Sequence, residues 1–484
     1  MTAEVRRNTL PVRNPRTGEI DYHITPPTAD EVAAITARQR EAQKDWAAAP
    51  IEHRAAVLRK WAEEIDKNRK AIVKAESTDT GRYRIPSEGP DGVIWSIRGW
   101  ADSAPEIVKK AMLEGTSSTV PHVRYRSQLK PYPLLGVISP WNFPMMLSAI
   151  DAVPALMAGS AAIIKPSEVT PRFVEPLMET IQKVPELAKV LTYVVGGGET
   201  GQAVIDNVDI VCFTGSVATG RKVAEACARR FIPVFLELGG KDPVIVTENA
   251  DVDRAADAVL RGSVYATGQI CYSIERVYVQ EKIHDAFVDK LVKKAEQIEL
   301  NYPDIHNGHI GPFIFAKQAG IVDEQIDDAV KHGAQVRTGG KSQNLGGGLY
   351  MRPTVLTGVT HDMKVMRDET FGPVIPVIKY QTKDDAVKLA NDTEFGLSGA
   401  VIAGSEEEAL ELGQQIDAGG ISLQDTTLTI SILRDAEKTS FNLSGMGGSR
   451  MGPASILRFF RKKALMTNTK PPSDMRNIRE LPAA

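Results

Sequence analysis

From Gly136 onward the chain alternates short apolar runs with amphipathic stretches, and this rhythm narrows the architectures open to it more than any other feature. Gly136–Ser139, Ala161–Ile164, Leu191–Val195, Asp209–Phe213 and Val234–Leu236 read as strands. Between them, Met145–Met157, Pro171–Lys183, Gly201–Asp206 and Gly220–Arg230 carry helical spacing. Such alternation predicts an α/β fold with a doubly wound parallel sheet, which takes its ligands at the carboxyl ends of the strands. A second α/β section begins near Asp242, with Pro243–Val246 as a strand and Asp251 capping the next helix. It runs to about Gly420.

The flanks are read from caps and periodicity. Thr28-Ala29-Asp30-Glu31 has capping-box spacing before a helix to about Ala47, and Leu58, Trp61, Ala62 and Ile65 repeat at helical spacing after Pro50. Val123–Lys130 alternates like an exposed strand pair, an edge open to pairing with another subunit. With 484 residues, the chain exceeds what one hydrophobic core serves, so two or three domains are expected. Its 42% apolar and 25% charged residues are those of an ordinary soluble globular protein.

Charge and cysteine usage exclude several classes. A formal net charge of −3 argues against nucleic acid or an anionic membrane as partner. The basic run Arg458–Lys463 reads as a solvated helix face. No segment approaches the ~20 apolar residues of a membrane span, and Met1–Asn14 has no apolar core of a secretory signal. Three cysteines cannot build a disulfide framework, which points to a reducing cytoplasm. From Pro471 the chain reads as a loose or partner-bound tail.

The chemistry concentrates at Cys271, in Gly268-Gln269-Ile270-Cys271, and Glu237, in Leu236-Glu237-Leu238-Gly239-Gly240-Lys241. A thiol becomes a strong nucleophile when a base activates it, and a carboxylate can be that base. Cys212 and Cys227 lie in apolar or helical patterns and read as small buried hydrophobes. Phe213-Thr214-Gly215-Ser216 ends a strand where a helix begins, so its amides and the helix dipole suit a phosphate. Gly196–Gly201 formally matches a dinucleotide pattern, but three adjacent glycines fit it readily, and a plain strand-to-helix turn is the stronger reading. Lys165 and Glu168 suit either a ribose diol or a solvated helix cap. His306 and His309 lie in a polar loop without further ligands, so no metal site is expected.

Six segments together resemble the aldehyde dehydrogenase superfamily, in its order and at its approximate spacing. They are Pro140-Trp141-Asn142-Phe143-Pro144, Lys165-Pro166-Ser167-Glu168, Phe213–Ser216, Leu236–Lys241, Gly268–Cys271 and Glu369-Thr370-Phe371-Gly372-Pro373. The resemblance implies that Cys271 attacks the aldehyde, that Asn142 and the Cys271 amide form an oxyanion hole, and that Glu237 activates the water hydrolysing the thioester. It places Trp141, Lys165, Glu168, Thr214, Gly215, Ser216, Glu369 and Phe371 on the cofactor. The carboxylate of Glu168 favours NAD, with NADP as the alternative. Leu147, Ile150, Ile270, Tyr272 and Phe441 would line the substrate tunnel, favouring apolar or aromatic aldehydes over acidic semialdehydes.

The resemblance also implies an organisation. Residues 1–115 and 141–238 form a dinucleotide-binding domain, 239–440 a catalytic domain, and 116–140 with 460–484 a small β oligomerisation element and tail. A homodimer or homotetramer is expected. The chain departs from the family at Ser440-Phe441-Asn442-Leu443-Ser444-Gly445, where Pro-Phe-Gly-Gly is usual, and at Gly448, where arginine is usual. The usual asparagine after Gly419-Gly420 is also missing, with Gln424-Asp425 nearby. The competing readings are a CoA-acylating enzyme and a catalytically silent protein of this fold.

Overall fold

The computed structural model describes residues 8–478 and residue 480. A six-stranded sheet runs in the order 445–446, Val234–Glu237, Ile210–Thr214, Leu134–Ile138, Ala161–Lys165 and Leu191–Tyr193. All its pairs are parallel except the short strand Gly445–Met446, which returns antiparallel beside Glu237. Helices Ala29–Ala48, Ile51–Lys67 and Arg84–Ala111 cover the sheet with one core, which includes Trp61, Ile97, Leu135, Ile163 and Val211.

A seven-stranded sheet follows, in the order Gln335–Thr338, Thr354–Thr357, Val374–Tyr380, Ile274–Gln280, Asp242–Val246, Ser398–Ile402 and Gly420–Leu423. Only its first strand is antiparallel. Successive residues of a strand point to opposite faces. Ile245 accordingly joins one core with Tyr278 and Val401, while Val244 and Val246 join another with Val277 and Ile375. Burial on both faces explains why these strands are continuously apolar.

Local chemistry made several bounds readable. Thr28 and Glu31 form a reciprocal capping box for Ala29–Ala48, and Asp251 accepts from the amides of Asp253 and Arg254 at the head of Val252–Val264. Elsewhere the structure differs from expectation. Met145–Met157 is two helices, Pro144–Ala149 and Ala152–Ala158, because Pro154 lacks the amide needed to continue the first. The break leaves Asp151 between them.

Val123–Pro131 is no edge. It is the middle strand of a three-stranded sheet, paired throughout with Phe460–Asn468 and, at one end, with Glu114–Thr116. The strand read at Gly136–Ser139 is Leu134–Ile138, a central strand of the six-stranded sheet hydrogen-bonded on both sides, so the small β element ends before it and not at residue 140. Arg458–Lys463 is not a helix face either: Arg458 lies in the last turn of the 3-10 segment Pro453–Phe459 and ion-pairs with Asp151, and strand pairing takes residues 460–468. Met1–Arg7, Arg479 and 481–484 lie outside the described residues, and with them half of the N-terminal reading and part of the tail. No helix among the described residues is long and apolar enough to cross a membrane.

Candidate active site

Register aligns the strand ends that matter. Ile138 pairs with Lys165 on one side and Phe213 on the other, and Thr214 pairs with Glu237. The chain winds outward from Leu134–Ile138 through 161–165 to 191–193, then returns to 210–214 on the opposite side. That reversal is the switch point at which such sheets bind ligands. A cavity of roughly 590 Å3 opens there, and it reaches the second sheet through Cys271, Phe315, Gln318, Glu369 and Phe371.

At the outer end, Ser216 caps helix Val217–Arg229, its Oγ accepting from the Thr219 amide at 3.4 Å. A helix N-terminus behind Gly215 offers amides and a positive dipole end to an anion. Gly197, Gly198 and Gly201 line the same cavity, and a Cβ on Gly198 would touch nothing within 4 Å. The Lys165 Nζ donates to Glu168 at 2.9 Å, the lysine buried and the carboxylate 44% exposed. A carboxylate presented this way suits a ribose diol. The donor set therefore fits a dinucleotide: an anion cradle, a hydroxyl acceptor and an aromatic wall in one cleft.

The aromatic wall is Trp141, with ring centroids 5.4 Å from Phe371 and 6.1 Å from Phe315. Buried Glu275 holds the neighbouring loop, accepting from the amides of Thr370 and Phe371 at 2.8 Å each and pairing with Lys241 at 2.7 Å. Those bonds stabilise Phe371 at φ 52°, a left-handed conformation rare for a bulky residue. Burial, with the Glu275 carboxylate nearby, pushes the Glu369 carboxyl up to about 8. A Cβ at Gly239 would lie 2.6 Å from that carboxyl, which is why glycine stands there.

Cys271 arrives on a strained turn. Ala266, Thr267 and Gly268 all have φ between 56° and 67°, and such conformations persist only where surrounding contacts over-determine them. Thr267 donates to the Gly311 carbonyl at 3.0 Å, and a Cβ on Gly268 would meet the Gly372 carbonyl oxygen at 2.3 Å. The buried Arg82 donates to the carbonyls of Asn142 and Ala266, tying the asparagine's segment to the cysteine's. Asn142 Nδ2 donates to the Gln269 carbonyl at 3.0 Å, two residues from the thiol. Burial pushes the Cys271 thiol up to about 12; the Lys438 ammonium opposes this, while the carboxylates of Asp242, Glu237 and Glu369 add to it.

Cys271, Glu237 and Asn142 thus border one cavity, with Trp141, Lys165, Glu168, Thr214, Gly215, Ser216, Glu369 and Phe371. Leu147 borders it too. Ile150, Ile270, Tyr272 and Phe441 do not: Ile270 is buried, Ile150 and Tyr272 are half-buried, and Phe441 is exposed. Cys212 and Cys227 are buried free thiols. Arg82, Glu275, Phe315 and Gln318 went unseen in the sequence, since each acts through partners far along the chain and none carries a local pattern.

The family model described as the aldehyde dehydrogenase family matches residues 2–465. The chain is 34% identical to the "putative succinate-semialdehyde dehydrogenase, NADP(+)" of Mycolicibacterium smegmatis, over 96% of this chain and 89% of that one. It is 35% identical to the chloroplastic betaine aldehyde dehydrogenase of Atriplex hortensis, over 86% and 85%. Among solved structures, the "putative aldehyde dehydrogenase PutA" from Anabaena variabilis superimposes with a TM-score of 0.94 at 50% identity, over 96% of this chain and 99% of that one. The betaine aldehyde dehydrogenase of Staphylococcus aureus in complex with NAD+ gives a TM-score of 0.89 at 27% identity, over 96% and 93%.

Proposed function

The chain belongs to the aldehyde dehydrogenase family, and on that premise we propose that it oxidises an aldehyde to the carboxylic acid with NAD as hydride acceptor. The observation that carries this reading is the meeting of Cys271, Glu237 and Asn142 in the cavity that also holds the dinucleotide cradle. The Cys271 thiol gives its proton to water, and the thiolate sulfur adds to the aldehyde carbon to give a thiohemiacetal. Its oxyanion takes hydrogen bonds from the Asn142 side chain and the Cys271 amide, each such donor contributing on the order of a hundredfold or more in rate. The chemistry a bound NAD supplies here is hydride acceptance, and Cys271 is left as a thioester. Glu237 then takes a proton from water as the water oxygen bonds to the acyl carbon and Cys271 leaves as thiolate.

Trp141, Lys165, Glu168, Thr214, Gly215, Ser216, Glu369 and Phe371 hold the cofactor in this reading. Exposed Glu168 repels an additional phosphate on the ribose, which favours NAD over NADP. The six-stranded sheet is taken as the cofactor-binding part, the seven-stranded sheet as the catalytic part, and the three-stranded sheet as the face that pairs subunits. Three free cysteines suit a reducing compartment such as the cytoplasm. Glu237 in the cavity supports hydrolysis over acyl transfer to CoA.

Apolar Leu147 and the aromatic wall support an apolar or aromatic aldehyde. Lys438 favours a second reading, an acidic semialdehyde, because its ammonium acts on Cys271 and would attract a carboxylate. Comparing kcat/KM for benzaldehyde and succinate semialdehyde, each with NAD and NADP, tests both. A preference for benzaldehyde of about tenfold or more is expected, as one well-placed charge or apolar contact is worth 1–3 kcal/mol. Preference for succinate semialdehyde, retained unless Lys438 is replaced by methionine, overturns the apolar reading.

Glu369 adds a pH dependence. Its carboxyl is raised to about 8 by burial first and Glu275 second, so it is mostly protonated below that value and ionised above it. Only the ionised form accepts both ribose hydroxyls. NAD affinity should therefore tighten by about tenfold between about pH 7 and about pH 9. Isothermal titration reads this, and Glu369→Gln should weaken binding and flatten the profile.

A further inference from the structure

The segment that departs most from the family lies directly against the catalytic base. Gly445 and Met446 add an antiparallel strand to the sheet edge, opposite Glu237 and Leu236, and the Leu238 amide donates to the Ser444 carbonyl at 2.8 Å. Five residues earlier in the same segment, the Ser440 hydroxyl donates to Glu237 Oε2 at 3.0 Å.

The serine is held on both sides. The Phe441 amide donates to the Gly396 carbonyl at 2.9 Å, and the Leu443 amide to the Glu394 carbonyl at 3.0 Å. The Gly396 amide in turn donates to Ser444 Oγ at 2.9 Å. On the other side, the Thr439 carbonyl oxygen sits where a Cβ on Gly419 would stand. A hydroxyl fixed by this much backbone directs whatever accepts from it.

We propose that Ser440 is a positioning residue for thioester hydrolysis, acting through Glu237. Its hydrogen bond occupies one carboxylate oxygen and fixes the plane of the group. The other oxygen is left to take the proton from the attacking water. As that proton moves to Glu237, the water oxygen bonds to the acyl carbon, the carbon–sulfur bond breaks, and Cys271 leaves as thiolate. Formation of the thioester needs no such orientation of Glu237, so Ser440 acts on the second half of the reaction. This inference rests on the roles proposed for Cys271 and Glu237.

The test isolates hydrolysis with p-nitrophenyl acetate, which acetylates a reactive thiol without cofactor or hydride transfer. Released nitrophenolate reads acetylation, and intact mass after quenching reads decay of the acetyl-enzyme. In Ser440→Ala, decay should slow by about tenfold while acetylation stays within about threefold, a part of the usual general-base contribution. Ser440→Thr, which restores a hydroxyl, should recover most of the loss. Equal decay in wild type and Ser440→Ala, an equal fall in both steps, or no recovery with threonine would overturn the proposal. Acetyl label that persists in Cys271→Ala would instead refute the nucleophile itself, and so separates the two failures.

Discussion

Cys271→Ala is expected to lower aldehyde-dependent NADH formation by at least about a thousandfold, because the covalent route disappears with the nucleophile. No other thiol can substitute. Cys212 and Cys227 are buried, and burial pushes both thiols up, Cys227 to about 11. Neither faces the cavity that Cys271 borders. NAD binding should survive, since the cradle at Ser216, Lys165 and Glu168 belongs to the other sheet. NADH absorbance and isothermal titration on one preparation check both halves. Activity above about a tenth of wild type would overturn the covalent mechanism.

The second large effect is expected on stability. Asp151 is buried where Pro154 interrupts the helix, and it accepts from Arg450 Nη2 at 2.8 Å, from Arg450 Nε at 3.2 Å and from Arg458. Arg450 also donates to Thr214, so the cluster ties the C-terminal segment to the strand end beside the cavity. The Arg458 guanidinium lies 5.0 Å from the Phe235 ring centre and 4.8 Å from that of Phe459. Removing one member of such a cluster leaves buried charge without compensation, which costs about 3–5 kcal/mol. Asp151→Ala should therefore lower the urea midpoint strongly. Asp151→Asn should lower it too, because an amide cannot balance two guanidinium charges.

The same carboxylate predicts the direction with pH. Burial alone would raise its pKa, but Arg450 and Arg458 hold it below the ordinary carboxylate range. A carboxyl depressed in the folded state stabilises fully above its unfolded value, and the contribution is lost as pH falls through the folded value. The gap between wild type and Asp151→Ala should accordingly be full at neutral pH and close in acid. A constant gap, or a midpoint change worth less than about 0.5 kcal/mol, would remove Asp151 as an anchor.

The parts of this protein readable without coordinates are those whose signals are local. Alternating apolar runs located the five parallel strands of the six-stranded sheet because strand and helix periods differ within a few residues. Thr28 and Asp251 marked helix starts because a cap acts within three residues. The short segments around Asn142, Glu237 and Cys271 were legible because strand ends and tight turns bring backbone and side chain together over four to six positions. The interrupted helix at Pro154 and the strand at residues 460–468 were not. A single proline and a partner 345 positions away (Val123 with Asn468) decided them.

The sequence by itself determined the fold class, the family and the residues proposed as nucleophile, base and oxyanion donor, since each rests on residue type and short-range pattern. Only the tertiary structure decided what holds those groups in place. Arg82 bridges Asn142 to Ala266, Glu275 binds the amides of Thr370 and Phe371, Arg450 reaches Asp151 across 299 positions, and Ser440 reaches Glu237 across 203. Hydrogen bonds form between atoms about 3 Å apart whatever their separation along the chain. No local period encodes such a partner, so the support of the site is written in three dimensions alone.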